Sequence, residues 1–112
     1  MSVSAARVRE LVAGLPGAEE GAHHGHPDFR VRKKIFAFPG HGNGLTVKAD
    51  REELPALLGD PRFTPARYLA RGGWVSMDLT TGPIDWNEID ELIRTSYCLI
   101  APKKLAALAT RS

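Results

Sequence analysis

The chain has 112 residues, of which 43% are hydrophobic and 25% charged; this suits one globular domain and is too short for two hydrophobic cores. A formal net charge of +2 is too small to indicate a nucleic-acid partner by itself, and a single cysteine, Cys98, excludes an internal disulfide bond. No apolar run approaches the ~18 residues of a membrane span, and the first residues lack the pattern of a secretion signal. We therefore expect a cytoplasmic monomer that makes no membrane contact.

The spacing of apolar residues predicts a helix at the start of the chain. One apolar face is formed at positions i, i+3, i+4 and i+7 by Val8, Leu11, Val12 and Leu15. Residues 19–27, which follow, are polar and rich in glycine and histidine. We expect them to form a loop.

Three short strands are predicted after this loop. Charged and apolar residues alternate over residues 28–32, so that Arg30 and Arg32 point away from the core. Residues 35–38 and 45–48 predict the other two strands, and a glycine-rich loop separates them.

Two further strands are predicted in residues 63–68 and 74–79. Pro65 favours an edge position for the first of them, because proline cannot donate a hydrogen bond to a neighbouring strand. The second alternates regularly, with Val75 directed to the core and Trp74 on the opposite face. An exposed Trp74 on a basic face could stack a base, but we expect the C-terminal tail helix to cover it.

Two aspartates that are each followed three residues later by a glutamate indicate helix starts at Asp50 and Asp85. The first helix is expected to be short because of Pro55, and Leu58 belongs to its buried side. The second helix carries the longest apolar stripe of the chain. A last short helix follows, with Leu108 packed inward.

The predicted order of elements is α-β-β-β-α-β-β-α, followed by the short tail helix. Hairpins with short links indicate an antiparallel sheet, here of about five strands, and helices with one apolar stripe each must cover one of its faces. The sequence thus predicts a single two-layer α+β domain over residues 1–112. Its core is expected to contain Val8, Leu11, Val31, Phe36, Leu57, Val75, Met77, Ile89, Ile93 and Tyr97.

Three segments in this order resemble the MmcQ/YjbR family. Gly25-His-Pro-Asp-Phe-Arg-Val31 and Lys34-Ile-Phe-Ala-Phe38 are similar to the N-terminal hairpin of these proteins. Trp74-Val-Ser-Met-Asp-Leu79 is similar to their Trp-Val strand, and Ile93-Arg-Thr-Ser-Tyr97 to their helical Ser-Tyr signature. The resemblance covers nearly the whole chain.

The resemblance implies an α-β(3)-α-β(2)-α fold, which is compared with frataxin-like and secretion-chaperone-like domains. It also implies DNA binding, which is predicted for the family from a "double wing" of two hairpins. Many members have glycine in the first hairpin turn, where this chain has Lys33-Lys34. The resemblance supplies no catalytic residues, and we expect no enzymatic activity.

Basic and acidic residues are separated along the chain. Residues 29–49 contain five bases and no acid, and residues 61–77 contain three bases and no acid, whereas acids collect in the predicted helices. The sheet face that the helices leave open should therefore be basic and able to contact the phosphates of DNA or RNA. The residues that we expect to bind nucleic acid are Arg30, Arg32, Lys33, Lys34 and Arg71.

Two alternatives belong to other functional classes. A metal-binding domain would use His23, His24, His26 and Asp28, with His41 from the next loop, but no cysteine pair or helical His-x-x-x-His fixes their geometry. We therefore predict no metal site and no cofactor. A protein-interaction adaptor would expose an apolar patch around Trp74 and Tyr68.

Overall fold

The computed structural model describes residues 3–23, 26–39, 44–66, 70–80 and 83–109. The helices are α1 (Val3–Ala13), α2 (Leu54–Leu58), α3 (Trp86–Ile100) and α4 (Lys103–Ala109). The strands are β1 (Ala18–His23), β2 (His26–Val31), β3 (Lys34–Phe38), β4 (Gly44–Lys48), β5 (Phe63–Pro65) and β6 (Trp74–Asp78). A single 3₁₀ turn, Ala70–Gly72, precedes β6.

The six strands form one antiparallel sheet in the order β1-β2-β3-β4-β6-β5. The longest helix, α3, packs across the two middle strands β3 and β4, and α1 packs against β1 and α3. The predicted α+β class is confirmed, with one strand more than expected. Within the described ranges, no helix is both long enough and apolar enough to cross a bilayer.

The additional strand lies where a loop was predicted, in residues 19–27. β1 pairs with β2 without interruption from Ala18 opposite Val31 to His23 opposite His26. The prediction was wrong because β1 has none of the β-branched or aromatic residues that identify a strand. Pairing with β2 makes it a strand, and its polar side chains are tolerated because it lies at the edge of the sheet. β5 forms the other edge, as Pro65 indicated.

The core lies between α3 and the sheet face that carries Leu45, Val47, Val75 and Met77, all of which are buried. Of the predicted core residues, Leu11 and Leu57 are only partly buried, and the remaining eight are buried. Leu58 and Leu108 were expected inside, but they are 39% and 54% exposed. Both lie on helices of five to seven residues, which are too short to present a full apolar stripe.

The two predicted helix starts differ. Asp85 caps α3 as predicted, because its side chain accepts hydrogen bonds from the backbone N–H groups two and three residues on. Asp50 instead accepts the backbone N–H of Glu52 within a turn, and α2 begins only at Leu54. Pro55 then lies in the first turn of α2, where its missing N–H has no helical partner to lose.

A β-bulge at Phe36 changes the alternation of β3. Phe29 faces Ala37 but Arg30 faces Ile35, so that Phe36 is an additional residue without a partner in β2. Phe36 and Ala37 are neighbours in sequence, yet both are fully buried. The ring of Phe36 meets Tyr97 of α3 edge-on, with centroids 5.4 Å apart.

The hydroxyl of Ser96, on α3, is inserted between β3 and β4. These strands pair only at Ala37–Val47 and Phe38–Thr46. One step further, the Ser96 hydroxyl accepts the backbone N–H of Lys48 at 2.9 Å and donates to the carbonyl of Phe36 at 2.5 Å. A helix side chain thus replaces the hydrogen bond that the two strands would otherwise share.

The turn between β2 and β3 consists of Arg32 and Lys33, one residue earlier than the Lys33-Lys34 pair. It is a two-residue hairpin in which both central residues have positive φ, 52° at Arg32 and 69° at Lys33. Such turns favour Asn-Gly, because other side chains are strained in the left-handed region. Two long basic residues therefore occupy positions that disfavour them.

We expect Arg32→Asn combined with Lys33→Gly to raise the free energy of unfolding by about 1–2 kcal/mol, because Asn-Gly relieves the strain of the left-handed turn. Urea denaturation monitored by circular dichroism measures the change. The control is Lys34→Gly, at an ordinary strand position, which should lower stability by about 0.5–1 kcal/mol. A loss of stability in the double variant would show that the turn carries no such strain.

We expect Ser96→Ala to lower the free energy of unfolding by about 2 kcal/mol, because it leaves a buried backbone donor and acceptor without partners. Hydrogen exchange of the Lys48 amide should accelerate in the same variant. Thr95→Ala, at the preceding position of α3, serves as the control and should change stability by less. Equal losses in the two variants would contradict the bridging role of Ser96.

Candidate nucleic-acid interface

The register of the sheet brings five basic residues to one of its ends. The β2–β3 turn lies at this end, and so do the end of β4 and the start of β6, because Lys48 pairs with Trp74. Arg71 lies in the 3₁₀ turn directly before β6. We call this the basic end; it consists of Arg32, Lys33, Lys34, Lys48 and Arg71.

The cations of the basic end have no ion-pair partners among the described residues, whereas several arginines elsewhere are paired. Arg62 binds Asp60 at 2.7 Å and Glu88 at 2.8 Å, and Arg94 binds Asp90 at 3.0 Å. Acids are nevertheless near, because the chain continues from β4 into a turn that contains Asp50, Glu52 and Glu53. The basic end is thus a set of uncompensated charges beside an acidic turn.

Arg30 differs from the four other residues of the predicted interface. Its guanidinium binds the Asp28 carboxylate in a bidentate pair, with Nε–Oδ1 at 2.6 Å and Nη2–Oδ2 at 2.9 Å. The Asp28 side chain is fully buried, and that of Arg30 is 31% exposed. The hydrogen bond to Asp28 raises the pKa of Arg30. The charge of Arg30 is compensated, so Arg30 does not belong to the basic end.

Gly21, on the neighbouring strand β1, provides the space for this pair. A Cβ at Gly21 would lie 2.8 Å from Nε of Arg30 and 2.9 Å from Oδ1 of Asp28. Any other residue would push the pair apart. Because Gly21 has no side chain, β1 can pair with β2 opposite Asp28 without displacing this ion pair.

Lys48 was not among the predicted binding residues. The sequence counts it as one of the bases in residues 29–49, but its position follows only from its pairing with Trp74 across β4 and β6. No local pattern reports that pairing, because 26 residues separate the two positions along the chain.

The sheet face opposite the core carries an aromatic pair beside the basic end. Trp74 and Phe38 are half-buried, with ring centroids 6.0 Å apart and planes inclined at 46°. The expectation that the tail helix covers Trp74 is wrong, since α4 packs on α3, where Arg94 binds the carbonyl of Ala109 at 2.9 Å. Tyr68, the other residue of the adaptor hypothesis, lies outside the described residues.

A cleft of about 580 Å³ continues this face away from the basic end. On its sheet side, the hydroxyls of Thr46 and Ser76 share a hydrogen bond of 2.7 Å. The Asp78 carboxylate accepts hydrogen bonds from the hydroxyl and backbone N–H of Thr80, which lower its pKa. Further lining residues include Pro39, Pro61, Arg62, Pro65, Pro83, Ile84, Asp85 and Glu88.

Within the described residues, neither the cysteine nor a cluster of metal-binding side chains forms a reactive site. Burial raises the pKa of the Cys98 thiol and so disfavours the reactive thiolate. No group of three or more histidine, cysteine or acidic side chains there is arranged to hold a metal ion. The imidazoles of His23, His24, His26 and His41 lie outside the described part, so the predicted absence of a metal site remains a prediction.

The fold and this surface define a class: a small α+β domain with an antiparallel sheet, helices on one face, and the basic end beside its open face. The YjbR family model matches residues 13–99, and the chain therefore belongs to the YjbR family. The fold is similar to the crystal structure of the Deinococcus radiodurans protein DR2400, which is described with a DUF419 domain. That similarity has a TM-score of 0.75 at 21% identity and covers 91% of this chain and 84% of the other. A search of curated proteins found no significant match.

We expect Arg30→Gln to lower the free energy of unfolding, because it leaves the buried carboxylate of Asp28 without its guanidinium. Urea denaturation of the single variant measures this loss. Asp28→Asn added to Arg30→Gln should restore part of it, because the buried charge is then removed. A loss no larger than that caused by Arg7→Gln, which removes the exposed ion pair of Arg7 with Glu10, would contradict this role of Arg30.

Proposed function

We propose that this YjbR-family domain is a non-enzymatic module that binds DNA or RNA through the phosphate contacts of its basic end. We further propose that it acts in the cytoplasm and as a monomer. Binding of this kind is electrostatic and carries little sequence preference, because side chains that contact phosphates position the ligand without reading its bases.

The hairpin turn is the observation that carries this proposal. Arg32 and Lys33 are both exposed and both have positive φ. A left-handed conformation costs a residue other than glycine about 1–2 kcal/mol, and Asn-Gly would avoid that cost here. Strained backbone positions that are retained in a protein concentrate at functional sites. Two cations at the tip of a strained hairpin are therefore better explained by a ligand than by the stability of the turn.

The charge distribution also supports phosphate binding. Arginines elsewhere, such as Arg62 and Arg94, are paired with acids, and pairing lowers the attraction to an external anion. Lys33, Lys34 and Arg71 have no such partners among the described residues, and all three are exposed. The basic end can therefore release the counterions of a nucleic acid, which is the source of affinity in non-specific binding.

The positions of the hairpins agree with the DNA binding that the family resemblance implies. The β2–β3 turn lies at the end of the sheet where β5 ends and β6 begins, because Pro65 pairs with Val75 near the start of β6. This arrangement supports a comparison with the two hairpins of a "double wing".

We expect Lys33→Gln with Lys34→Gln to weaken binding to every nucleic acid alike. The wild-type protein should bind in the non-specific range of ~10⁻⁴–10⁻⁶ M at physiological salt. Each lost phosphate contact should flatten the slope of log affinity against log salt by about 0.9 on duplex DNA. Fluorescence anisotropy with labelled duplexes over a series of salt concentrations measures both quantities.

The chain contains a matched control in its second lysine pair. Lys103→Gln with Lys104→Gln removes the same charge from the exposed start of α4, away from the sheet, and should leave the salt slope unchanged. Equal weakening by both double variants would mean that net charge alone governs binding, against a defined site. Absence of wild-type binding even at low salt would refute the proposal and leave the adaptor hypothesis in its place.

A further inference from the structure

On the open sheet face, the basic end lies next to the aromatic pair of Trp74 and Phe38. Lys48 lies directly opposite Trp74, and Arg71 precedes Trp74 by three residues. Trp74 packs against Phe38 on one side and against the backbone of Gly72 on the other, where a Cβ would lie 3.1 Å from its ring. The indole of Trp74 is half-buried, contacts its neighbours and lies beside two cations. These are the features of a surface on which a base stacks while its phosphate is bound nearby.

The cleft beyond Trp74 differs from the basic end in charge. Among its charged lining residues, Asp78, Asp85 and Glu88 outnumber Arg62, which is itself paired with Glu88 and with Asp60. Such a cleft repels phosphate. Its hydroxyl pair, Thr46 and Ser76, and the Asp78 carboxylate instead offer hydrogen bonds to a neutral polar group.

The dimensions allow one ligand to use both regions. Thr46 lies two residues from Lys48 along β4, which corresponds to about 7 Å at the rise of a strand. The cleft volume of about 580 Å³ falls within the usual range of small-molecule sites. A nucleotide whose phosphate lies at Lys48 can therefore place its base on Trp74 or at the mouth of the cleft.

We infer that the ligand of this domain is single-stranded nucleic acid, whose phosphates lie along the basic end and whose unpaired bases stack on Trp74 and enter the cleft. This inference rests on the proposed function and specifies its ligand. A duplex offers its phosphates but keeps its bases paired and stacked, so that it can use only the basic end. A single strand uses both regions and should bind more tightly at equal length and salt.

The test compares a single-stranded oligonucleotide with a duplex of the same length, against the wild-type protein and Trp74→Leu. We expect the wild type to prefer the single strand. Trp74→Leu should weaken single-strand binding about tenfold, which is a typical loss for one stacked base, and should leave duplex binding unchanged. Leu108→Ala, which removes an exposed apolar side chain from α4, is the control and should change neither.

A spectroscopic measurement keeps the test valid if Trp74→Leu does not fold. In a Trp86→Phe variant, Trp74 is the remaining tryptophan, and single strands should quench its fluorescence more strongly than duplexes at equal occupancy. Equal affinity for both ligands, with no effect of Trp74→Leu and no preferential quenching, would overturn this inference while leaving phosphate binding in place. Failure of both ligands to bind at low salt would overturn the proposed function as well.

Discussion

The insertion of Ser96 between β3 and β4 is the contact on which the geometry of this domain depends. It joins the longest helix to the middle of the sheet through two backbone groups, beside the edge-on contact of Tyr97 with Phe36. The register of β4 with β6 then determines which residues meet at the end of the sheet. The basic end therefore depends both on the way α3 holds the two central strands together and on the pairing of β4 with β6.

The charges of the protein follow two different physical regimes. Arg30 has a structural role, since its guanidinium compensates a buried carboxylate and so removes an unfavourable charge from the interior. The cations at the turn and before β6 are exposed, and exposed charges of this kind contribute little to stability and attract anions over a distance of about a Debye length. The left-handed turn adds a cost in stability at the point where charge is concentrated.

Much of the fold was predictable because it rests on local periodicity. The apolar stripe of α3, the alternation of β6 and the cap at Asp85 are properties of a few neighbouring residues, and each was predicted correctly. Leu58 and Leu108 show the limit, since a short helix can be apolar in sequence and exposed in the fold. β1 shows the opposite case, because a polar segment becomes a strand only when a partner supplies its hydrogen bonds.

For the candidate site, the acid-free segments and the presence of Arg32, Lys33, Lys34 and Arg71 within them can be read from the chain alone. The folded structure adds that Arg30 is compensated by Asp28, that Lys48 belongs to the same end, and that Trp74 lies beside it. The physical reason is that a charge acts through its surroundings in space. Pairing across strands joins residues such as Lys48 and Trp74 that are far apart in the chain. No local sequence pattern indicates which two residues such pairing brings together.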